Sequence, residues 1–496
     1  MRMKTPSRTR AASVLLSTVA LALAACSSTQ VDLRSQVALP QNFEQASQAN
    51  GQKNPQAALD ISRWWQQWND PVLSQLIEQG LQHGHDVRIA RSRLQEARAH
   101  SRLALANQGP MAGANANLSR LDGRISNPLD DSSRAALRQM PVASGLANDS
   151  FKLQGNSLTG GFTASWEPDI FGQKRSDADA ARHAALGVQE QLHGAQLLLA
   201  ADMAEHYFQA RAAQSRLHDA QRHIVALQRL LQYAQGRFQA GQVNAYHVQQ
   251  VRMQLAAAQA RHSTIGAEYA AHVRSIAVLA GQTPQGFRLP DSRVDVLAVQ
   301  AAAPAGTTPK GMLERRPDLR AHAAQVQAHA AKLASAKADL LPRFSIEFLG
   351  QGSIGVDSAT DLKGWGSLLR LGIQVPLFTN GRIQANIAAA DARLQTALLQ
   401  YDRTLLRALG EVDSAYQAHT ALKRQNALLL SAHQQAEKQV SAADKLFRYG
   451  HHTLDDALRA RLNEAELHTQ LTQSRLAQAQ AAVALYKALG GGWGEE

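Results

Sequence analysis

Two long stretches of helical pattern without proline, residues 171–239 and 378–448, dominate the chain. Each opens on a Phe with an Arg nearby, continues in Ala, Leu, Gln and charged residues, and closes on a Phe followed by a Gly. The closing glycines, Gly241 and Gly450, lie 209 residues apart. This repetition indicates an internal duplication. A helix of roughly 68 residues would be about 100 Å long, so we predict two extended helices rather than an ordinary globular domain.

Shorter helical patterns are duplicated as well. Residues 86–108 and 318–341 precede a proline in both copies, and residues 242–280 and 451–489 follow the long stretches. In each half, the helix before the proline and the helix after the long stretch together have nearly the length of one long helix. We therefore predict that the short helices lie end to end beside the long ones and meet at a central girdle. The segment 282–317 and both chain ends are predicted to wrap this girdle.

After Pro110 and Pro342, the apolar residues recur at every second position instead of at helical spacing. Apolar Leu369, Leu371, Ile373 and Val375, for example, alternate with Arg370, Gly372 and Gln374. Such segments, about ten residues long, are typical of tilted strands that cross a bilayer, although a soluble hairpin has the same alternation. We predict polar loops at about 124–156 and 350–364.

Four strands cannot close a barrel, and open edges are not tolerated in lipid. Oligomerisation is therefore expected. The pattern alone leaves dimer, trimer and tetramer open.

The chain begins with an export signal. Basic residues up to position 10 precede an apolar run over 11–25, which is too short for a membrane span. The single cysteine follows in Leu23-Ala24-Ala25-Cys26, which looks like a bacterial lipobox. We expect Cys26 to carry a covalent lipid, the alternative being an incidental cysteine. Ser27 and Ser28 in place of an Asp favour sorting to the outer membrane.

Composition and motifs exclude several classes of function. The formal net charge is +12, and removal of residues 1–25 takes away four of these positive charges. The remaining charges form no basic block with interleaved aromatics, which argues against nucleic-acid binding. The sequence has no phosphate-binding loop, nucleophile elbow or metalloprotease motif. Its 18 histidines are scattered. We therefore expect no enzyme activity, no metal and no cofactor.

Four motifs resemble landmarks of the TolC-like outer-membrane factor family, and the last is similar to the ending of its lipoprotein branch, the NodT/OprM type. They are Trp166-Glu167-Pro168-Asp169-Ile170-Phe171-Gly172, Arg315-Arg316-Pro317-Asp318-Leu319, Val375-Pro376-Leu377-Phe378 and Leu485-Tyr486-Lys487-Ala488-Leu489-Gly490-Gly491-Gly492-Trp493. The resemblance covers residues 64–493. It implies a mainly α fold with a membrane part: a trimeric 12-stranded outer-membrane β-barrel continuous with a long periplasmic α-helical barrel.

The expected domain organisation follows the duplication. The parts are a signal peptide (1–25), a lipid-anchored tail (26–61), the N-terminal helices (62–109), hairpin 1 (110–170), the first long and return helices (171–281), a linker (282–317), the second short helix (318–341), hairpin 2 (342–378), the second long and return helices (379–490) and a C-terminal tail (491–496).

The resemblance also implies a docking site for a periplasmic adaptor at the two helix turns. The family pattern there is approximately G-x-x-[ST]-x-x-D-x-x-x-A. Gly450, Thr453, Asp456 and Ala460 fit it in the second half. In the first half Gly241 and Asn244 fit, but His247 stands where the Asp is expected. The charges of Asp455, Asp456 and Arg459 form a candidate gate. The alternative is that they are exposed charges at the start of a helix, where the helix dipole favours them.

The resemblance implies an outer-membrane exit channel of a tripartite, RND-type efflux system. Such a channel passively conducts drugs or other small molecules and has an adaptor protein and an inner-membrane transporter as partners. One alternative is the exit duct of a protein secretion system. Another, from a different class, is a coiled-coil periplasmic lipoprotein without a pore, which would not need amphipathic strands.

Overall fold

The computed structural model describes residues 35–46, 61, 63–304, 307–355 and 363–491. Two units separate, residues 1–36 and 37–496, and every element below belongs to the second. The predicted signal peptide, Cys26 and most of the predicted tail lie outside the described residues. So do residues 356–362 of the second predicted loop and residues 492–496 of the C-terminal tail.

The described chain is built from long helices and one small sheet. The helices are α1 (Pro71–His83), α2 (His85–Ala106), α3 (Asp131–Arg138), α4 (Gln173–Gln239), α5 (Ala245–Leu279), α6 (Pro309–Arg315), α7 (Pro317–Ala338), α8 (Arg382–Arg448) and α9 (Leu454–Ala488). The strands are β1 (Met111–Ser126), β2 (Ser150–Trp166), β3 (Arg343–Gly355) and β4 (Lys363–Gln374).

The helices confirm the predicted duplication. The long helices α4 and α8 have 67 residues each, and both ends of α8 lie 209 residues after those of α4. The return helices α5 and α9 share this offset and have 35 residues each. The short helices α2 and α7 have 22 residues each. Both long helices begin after a glycine in the left-handed conformation, Gly172 or Gly381, a few residues later than the opening Phe suggested.

The short helices meet end to end beside the long ones. Helix α4 packs against α2 and α5 and also against α7 and α9, whereas α8 packs against α7 and α9. At Gly281, directly after α5, an added Cβ would lie 2.5 Å from the backbone oxygen of His83 at the end of α1. At Gly490, after α9, it would lie 2.8 Å from the backbone nitrogen of Arg316, which precedes α7. Only glycine permits both approaches.

Aromatic side chains fill the level at which the short helices meet, which we call the girdle (residues 64–84, 281–304, 307–317 and 486–491). Trp64 stacks on Tyr486 with ring centroids 5.8 Å apart, and Trp68 packs on Phe208 at 5.0 Å. Trp64 and Trp68 are buried, so both tryptophans pack against the neighbouring helices.

Residues 302 and 304 of the linker and Phe43 of the N-terminal segment contact aromatic side chains of α8 and α9. The Tyr416 hydroxyl donates a hydrogen bond to the backbone oxygen of Pro304 at 2.8 Å, and the Tyr486 hydroxyl donates one to that of Ala302 at 2.7 Å. From the N-terminal side, the ring of Phe43 packs on that of Tyr416, with centroids 6.5 Å apart.

The strands form one antiparallel sheet in the order β1-β2-β3-β4. They are longer than the ten residues expected, with 16, 17, 13 and 12 residues. The predicted loop at 124–156 is wrong at both ends, because β1 pairs with β2 up to Ser126 and Ser150. The alternation continues beyond Leu118, but the apolar residues change face, so the sequence pattern ended too early.

One face of the sheet carries large apolar side chains. Exposed members of this face are Leu118, Leu158, Phe162, Trp166, Phe348, Ile354, Leu369, Leu371 and Ile373. They share a face because directly opposed residues of antiparallel strands point the same way. In the described ranges, β1 and β4 are edge strands whose outer sides pair with nothing. Among the described helices, none is long and apolar enough to cross a membrane.

Substitution of Gly281 tests the close approach at the girdle. Gly281→Ala should lower the melting temperature more than Gly286→Ala does. Both glycines have positive φ, 73° and 80°, so both alanines suffer a strain of roughly 1–2 kcal/mol. Only the Cβ at position 281 also collides with a backbone atom, since nothing lies within 4 Å of the one at 286. Thermal denaturation of the purified protein measures the difference, and equal melting temperatures would contradict the packing described.

Candidate functional site

Two helix turns, residues 240–244 between α4 and α5 and residues 449–453 between α8 and α9, have the same backbone geometry. Gly241 and Gly450 adopt φ of 71° and 77°. The amide of the residue after each glycine donates to a carbonyl five positions earlier: Gln242 to Arg237 at 2.8 Å, and His451 to Leu446 at 2.9 Å. This is the Schellman pattern, which requires a left-handed residue. Both glycines therefore supply a backbone conformation that residues with a Cβ resist.

The second turn is closed by a capping box. The Thr453 hydroxyl accepts a hydrogen bond from the Asp456 amide at 3.2 Å, and the Asp456 carboxylate accepts one from the Thr453 amide at 2.9 Å. The Thr453 hydroxyl in turn donates to that carboxylate at 2.7 Å. Hydrogen bonds from the side chain and backbone of Thr453 lower the pKa of Asp456. These bonds satisfy amides that the helix itself leaves unpaired.

The first turn has only half of this arrangement. Asn244 accepts a hydrogen bond from the amide of His247 at 3.3 Å. His247 stands where the second turn has Asp456. In the described residues of the first turn, the Asn244 cap is not part of a capping box. The departure noted in the sequence therefore makes the two turns unequal in their local hydrogen bonding.

The three candidate gate residues lie together at the start of α9. Arg459 donates to Asp455 at 2.8 Å within the same helix, and Asp456 belongs to the capping box. A bridge to a neighbouring chain remains a prediction, and the cap gives Asp456 a local role besides. Just above them, Arg461 of α9 binds Asp444 of α8 at 2.7 Å.

A small apolar cluster near the turns joins the two helical hairpins. Leu458 of α9 is buried with Leu230, Ala234, Val248 and Val251 of α4 and α5. Leu454, Leu458 and Leu462 recur at a spacing of four residues, and this spacing is the signal in the sequence by which Leu458 could be found. Its contact fixes the α8–α9 hairpin against the α4–α5 hairpin.

Farther from the turns along the helices, the contact between α4 and α9 is polar. Asp219 is buried and accepts hydrogen bonds from Arg222 and from His468 of α9, both at 2.7 Å. Burial by itself raises the pKa of Asp219, but these bonds outweigh it and lower the pKa. The bond to Asp219 raises the pKa of His468 against the effect of burial. Sequence reading missed this pair because its members are 249 residues apart.

Beside it, the His433 ring of α8 lies 5.0 Å from that of His468, and His433 binds Glu464 at 2.9 Å. Asn426 donates to Gln478 between the same two helices. Polar groups in close pairs therefore replace apolar packing along this part of α8 and α9.

The first two motifs that carry the family resemblance lie where α4 and α7 begin. The Asp169 carboxylate accepts hydrogen bonds from the amides of Lys174 and Arg175 in the first turn of α4, at 3.1 and 2.7 Å. Arg316 binds Asp318 at 2.7 Å, Glu411 of α8 at 2.9 Å and the backbone oxygen of Ala488 at 2.9 Å. The second motif thus ties α7, α8 and α9 together at the girdle.

The sequence profile described as "Outer membrane efflux protein" matches residues 76–282 and 308–491, the two duplicated halves on either side of the linker. The chain belongs to this family. Its members are channel proteins rather than enzymes. The family resemblance found in the sequence is confirmed.

Named relatives match over almost the whole chain. The pyoverdine export outer membrane protein OpmQ of Pseudomonas putida is 28% identical over 480 residues, which cover 96% of both chains. The outer membrane protein OprJ of Pseudomonas aeruginosa is 27% identical and covers 96% of this chain and 95% of its own. The structure of the outer-membrane channel OprN matches with a TM-score of 0.77 at 24% identity, over 93% of this chain and 99% of its own.

These findings establish the function class. The chain is an outer-membrane efflux channel protein with a periplasmic helical part, and its predicted location and its fold of helices continued by a membrane β part are confirmed. Across the described ranges, no group of three or more His, Cys, Asp or Glu side chains is placed to hold a metal ion.

The unequal caps can be tested by exchanging them. Thr453→Ala should cost about 1 kcal/mol locally and raise amide hydrogen exchange over residues 453–457. His247→Asp should supply the missing carboxylate and slow exchange over residues 244–247. Thr469→Ala, the same chemical change within α9, is the control. Exchange that stays unchanged in both turns would refute the assigned capping roles.

The Asp219–His468 pair predicts a pH-dependent stability. The contribution of Asp219, whose folded pKa is lowered, is present above its unfolded pKa of about 3.9 and is lost as the pH falls through the folded value. The contribution of His468, whose folded pKa is raised, is present below about 6.5 and is lost as the pH rises through the folded value. The two therefore coincide in the mildly acidic range.

Accordingly, His468→Gln should lower the melting temperature most between about pH 5 and 6 and least above about pH 8. His218→Gln is the control, because it removes an exposed imidazole next to Asp219 in the chain but not the hydrogen bond. Melting curves across this range would disprove the pairing if the His468→Gln deficit stayed constant.

Proposed function

We propose that this chain forms, as a homotrimer, the outer-membrane exit channel of a tripartite, RND-type efflux pump and passively conducts drugs or other small molecules. It docks on a periplasmic adaptor and works with an inner-membrane transporter. A covalent lipid on Cys26 anchors its N-terminus. The observation that carries the proposal is that a single chain leaves both its helical layer and its sheet incomplete at matching edges.

The helical layer is incomplete at α8. Among the described helices, α4 has two sets of long neighbours, α2 with α5 and α7 with α9, whereas the main helical neighbours of α8 are α7 and α9. Because α8 repeats α4, a second copy offers the missing neighbours as its own α2 and α5. Such a contact uses different surfaces on the two chains, and its repetition gives a ring when the rotation between copies closes. Three copies would give twelve helical columns.

The repeat also indicates which residues of α8 meet the next copy. On α4, Glu190 binds Arg320 at 2.9 Å, Asp219 binds His468, and Leu197 contacts the chain at Gly491. The residues 209 positions later are Leu399, Leu428 and Leu406. All three are exposed in the single chain, at 67%, 74% and 58%. An exposed leucine at each equivalent of a contact position supports burial by a second copy.

The sheet is incomplete at β1 and β4. Its apolar face suits lipid, and a lipid-exposed strand edge leaves backbone groups unpaired. Joining β4 of one copy to β1 of the next removes every edge. The sheet and the helices thus require the same closed ring, with twelve strands for three copies.

The helix turns are the proposed adaptor site, formed by Gly241, Asn244, Gly450, Thr453 and Asp456. Exposed Tyr246 and Tyr449 beside the turns offer the aromatic surface that protein interfaces favour. The named relatives support a pump partner, since TtgC of Pseudomonas putida is named as an efflux pump outer membrane protein. By the same names, we assign small organic molecules as the substrate class.

Paired cysteines test the ring. Leu399→Cys with Arg88→Cys should cross-link between chains, because Arg88 is the counterpart of Arg320 in the first repeat. The control is Leu399→Cys with Arg102→Cys, a position about 21 Å farther along α2. Denaturing gels should show linked dimers and trimers and nothing larger. Equal linking by the control, or none by the test pair, would exclude the proposed interface.

Channel function and the gate are tested by conductance in planar bilayers. The purified trimer should conduct, and Asp455→Asn with Arg459→Gln should raise the conductance severalfold if these charges hold the turns together. Arg216→Gln is the control, since it breaks a pair with Glu268, 2.9 Å long, that joins α4 to α5 away from the turns. An unaltered conductance would contradict the proposed gate. A protein that never conducts would contradict the proposed channel function.

A further inference from the structure

The face of the sheet opposite the large apolar one carries many small neutral residues, together with the larger apolar side chains of Met111, Leu121, Ile125, Leu349 and Leu368. The strand residues on this face include Gly113, Asn115, Asn117, Ser119, Ser157, Thr159, Gly161, Thr163, Ser165, Ser345, Gly366 and Gly372. In the described strands, three charged residues share the face: Arg343, Glu347 and Arg370. Arg343 is at the first position of β3 and binds Asp339 next to the end of α7. Glu347 and Arg370 alone lie within the strands.

Glu347 and Arg370 form an ion pair across β3 and β4. They are direct partners in the strand register, and a guanidinium nitrogen of Arg370 lies 3.1 Å from a carboxylate oxygen of Glu347. The Glu347 side chain is 48% exposed and that of Arg370 65% exposed. The neighbouring residue on the same face of β4, Gly372, has no side chain. On the other side, the next pair on this face is Leu349 with Leu368, so the charged pair lies between a glycine and an apolar pair.

The orientation of the pair follows from the opposite face. Phe348 and Leu369, the partners one rung away, belong to the apolar face that we assign to lipid. Glu347 and Arg370 then point away from lipid. A cavity of about 530 Å³ between the sheet and the helices is lined by Glu347 together with Ser165 and Lys174, so the pair lies next to the passage from helices to sheet.

We propose that the Glu347–Arg370 pair is the charge-selectivity element of the membrane part of the channel. This inference rests on the proposed function, because the lumen exists only in the closed ring. In the ring the pair recurs once per chain at one height. With both partners present the charges cancel, and charged solutes of either sign pass. The pair thus keeps the duct open to cationic and anionic substrates alike.

Removal of one partner uncovers the other charge in every chain. Arg370→Gln leaves a ring of carboxylates, which attracts cations and repels anions. Glu347→Gln leaves a ring of guanidinium groups with the opposite effect. The double variant is neutral again. Salt screens such charges over about 10 Å at 0.1 M and about 3 Å at 1 M, so the effects should be large only at low ionic strength.

The test is the ratio of potassium to chloride permeability, taken from reversal potentials in bilayers under a salt gradient. All variants carry Asp455→Asn and Arg459→Gln if these substitutions raise the conductance, and otherwise the wild-type turns. Arg370→Gln should raise the ratio at least twofold near 0.1 M salt, and Glu347→Gln should lower it at least twofold. The double variant should return within a factor of 1.3 of the parent. Arg120→Gln removes an equal charge from β1, on the face of the sheet opposite to Glu347 and Arg370, and should leave the permeability ratio unchanged.

Trimer formation on unheated gels verifies that each variant has assembled. Single variants that keep the parental ratio while conducting would overturn the selectivity role and leave the channel intact. A shift by Arg120→Gln equal to that of Arg370→Gln would also overturn it, since the effect would then follow net charge alone. Absence of conductance in the parent would overturn the proposed function and, with it, this inference.

Discussion

Close backbone contact at the girdle is the constraint on which the helical architecture depends. A uniform layer needs two short helices to replace one long helix, and their ends must meet without a gap. Gly281 and Gly490 allow this, because they end α5 and α9 in a left-handed conformation and leave no side chain against His83 or Arg316. The buried guanidinium of Arg316 then joins three helices at the same level. Without this junction, α4 and α8 would lack continuous neighbours.

The helical part of the fold was predictable because its signals are local. Glycine and proline end each helix, and the same intervals recur in both halves, so helix lengths and their end-to-end order follow from the sequence. The strand lengths did not follow. Beyond Leu118 the apolar residues of β1 change face while the backbone pairing with β2 continues. A reading based on one apolar face ends the strand at that point.

Candidate site residues were predictable only where one chemical role dominates. The left-handed glycines of the turns are of this kind, since few other residues adopt that conformation. Asp456 is not, because its carboxylate suits a helix cap as well as a gate, and the contacts within one chain show the cap. Asp219 with His468, and Glu347 with Arg370, depend on pairing between distant elements. For Glu347 and Arg370, alternation places each on a polar face, but only the strand register shows that they are opposite.

The two halves of the chain differ in how firmly their hairpins are packed near the turns. Leucine and valine side chains fill the contact of α4 with α5, whereas alanines such as Ala443, Ala457 and Ala460 form that of α8 with α9. Burial contributes roughly 25 cal/mol per Å² of apolar surface, so the alanine contact stabilises less per residue. Polar contacts of Arg461 with Asp444, His433 with Glu464 and Asn426 with Gln478 join α8 to α9. Leu458 and the contact of Asp219 with His468 attach this hairpin to α4 and α5. Partly exposed ion pairs such as that of Arg461 with Asp444 contribute little to stability and can be exchanged for water at low cost. We therefore expect the α8–α9 hairpin to be the one that moves when the turns separate.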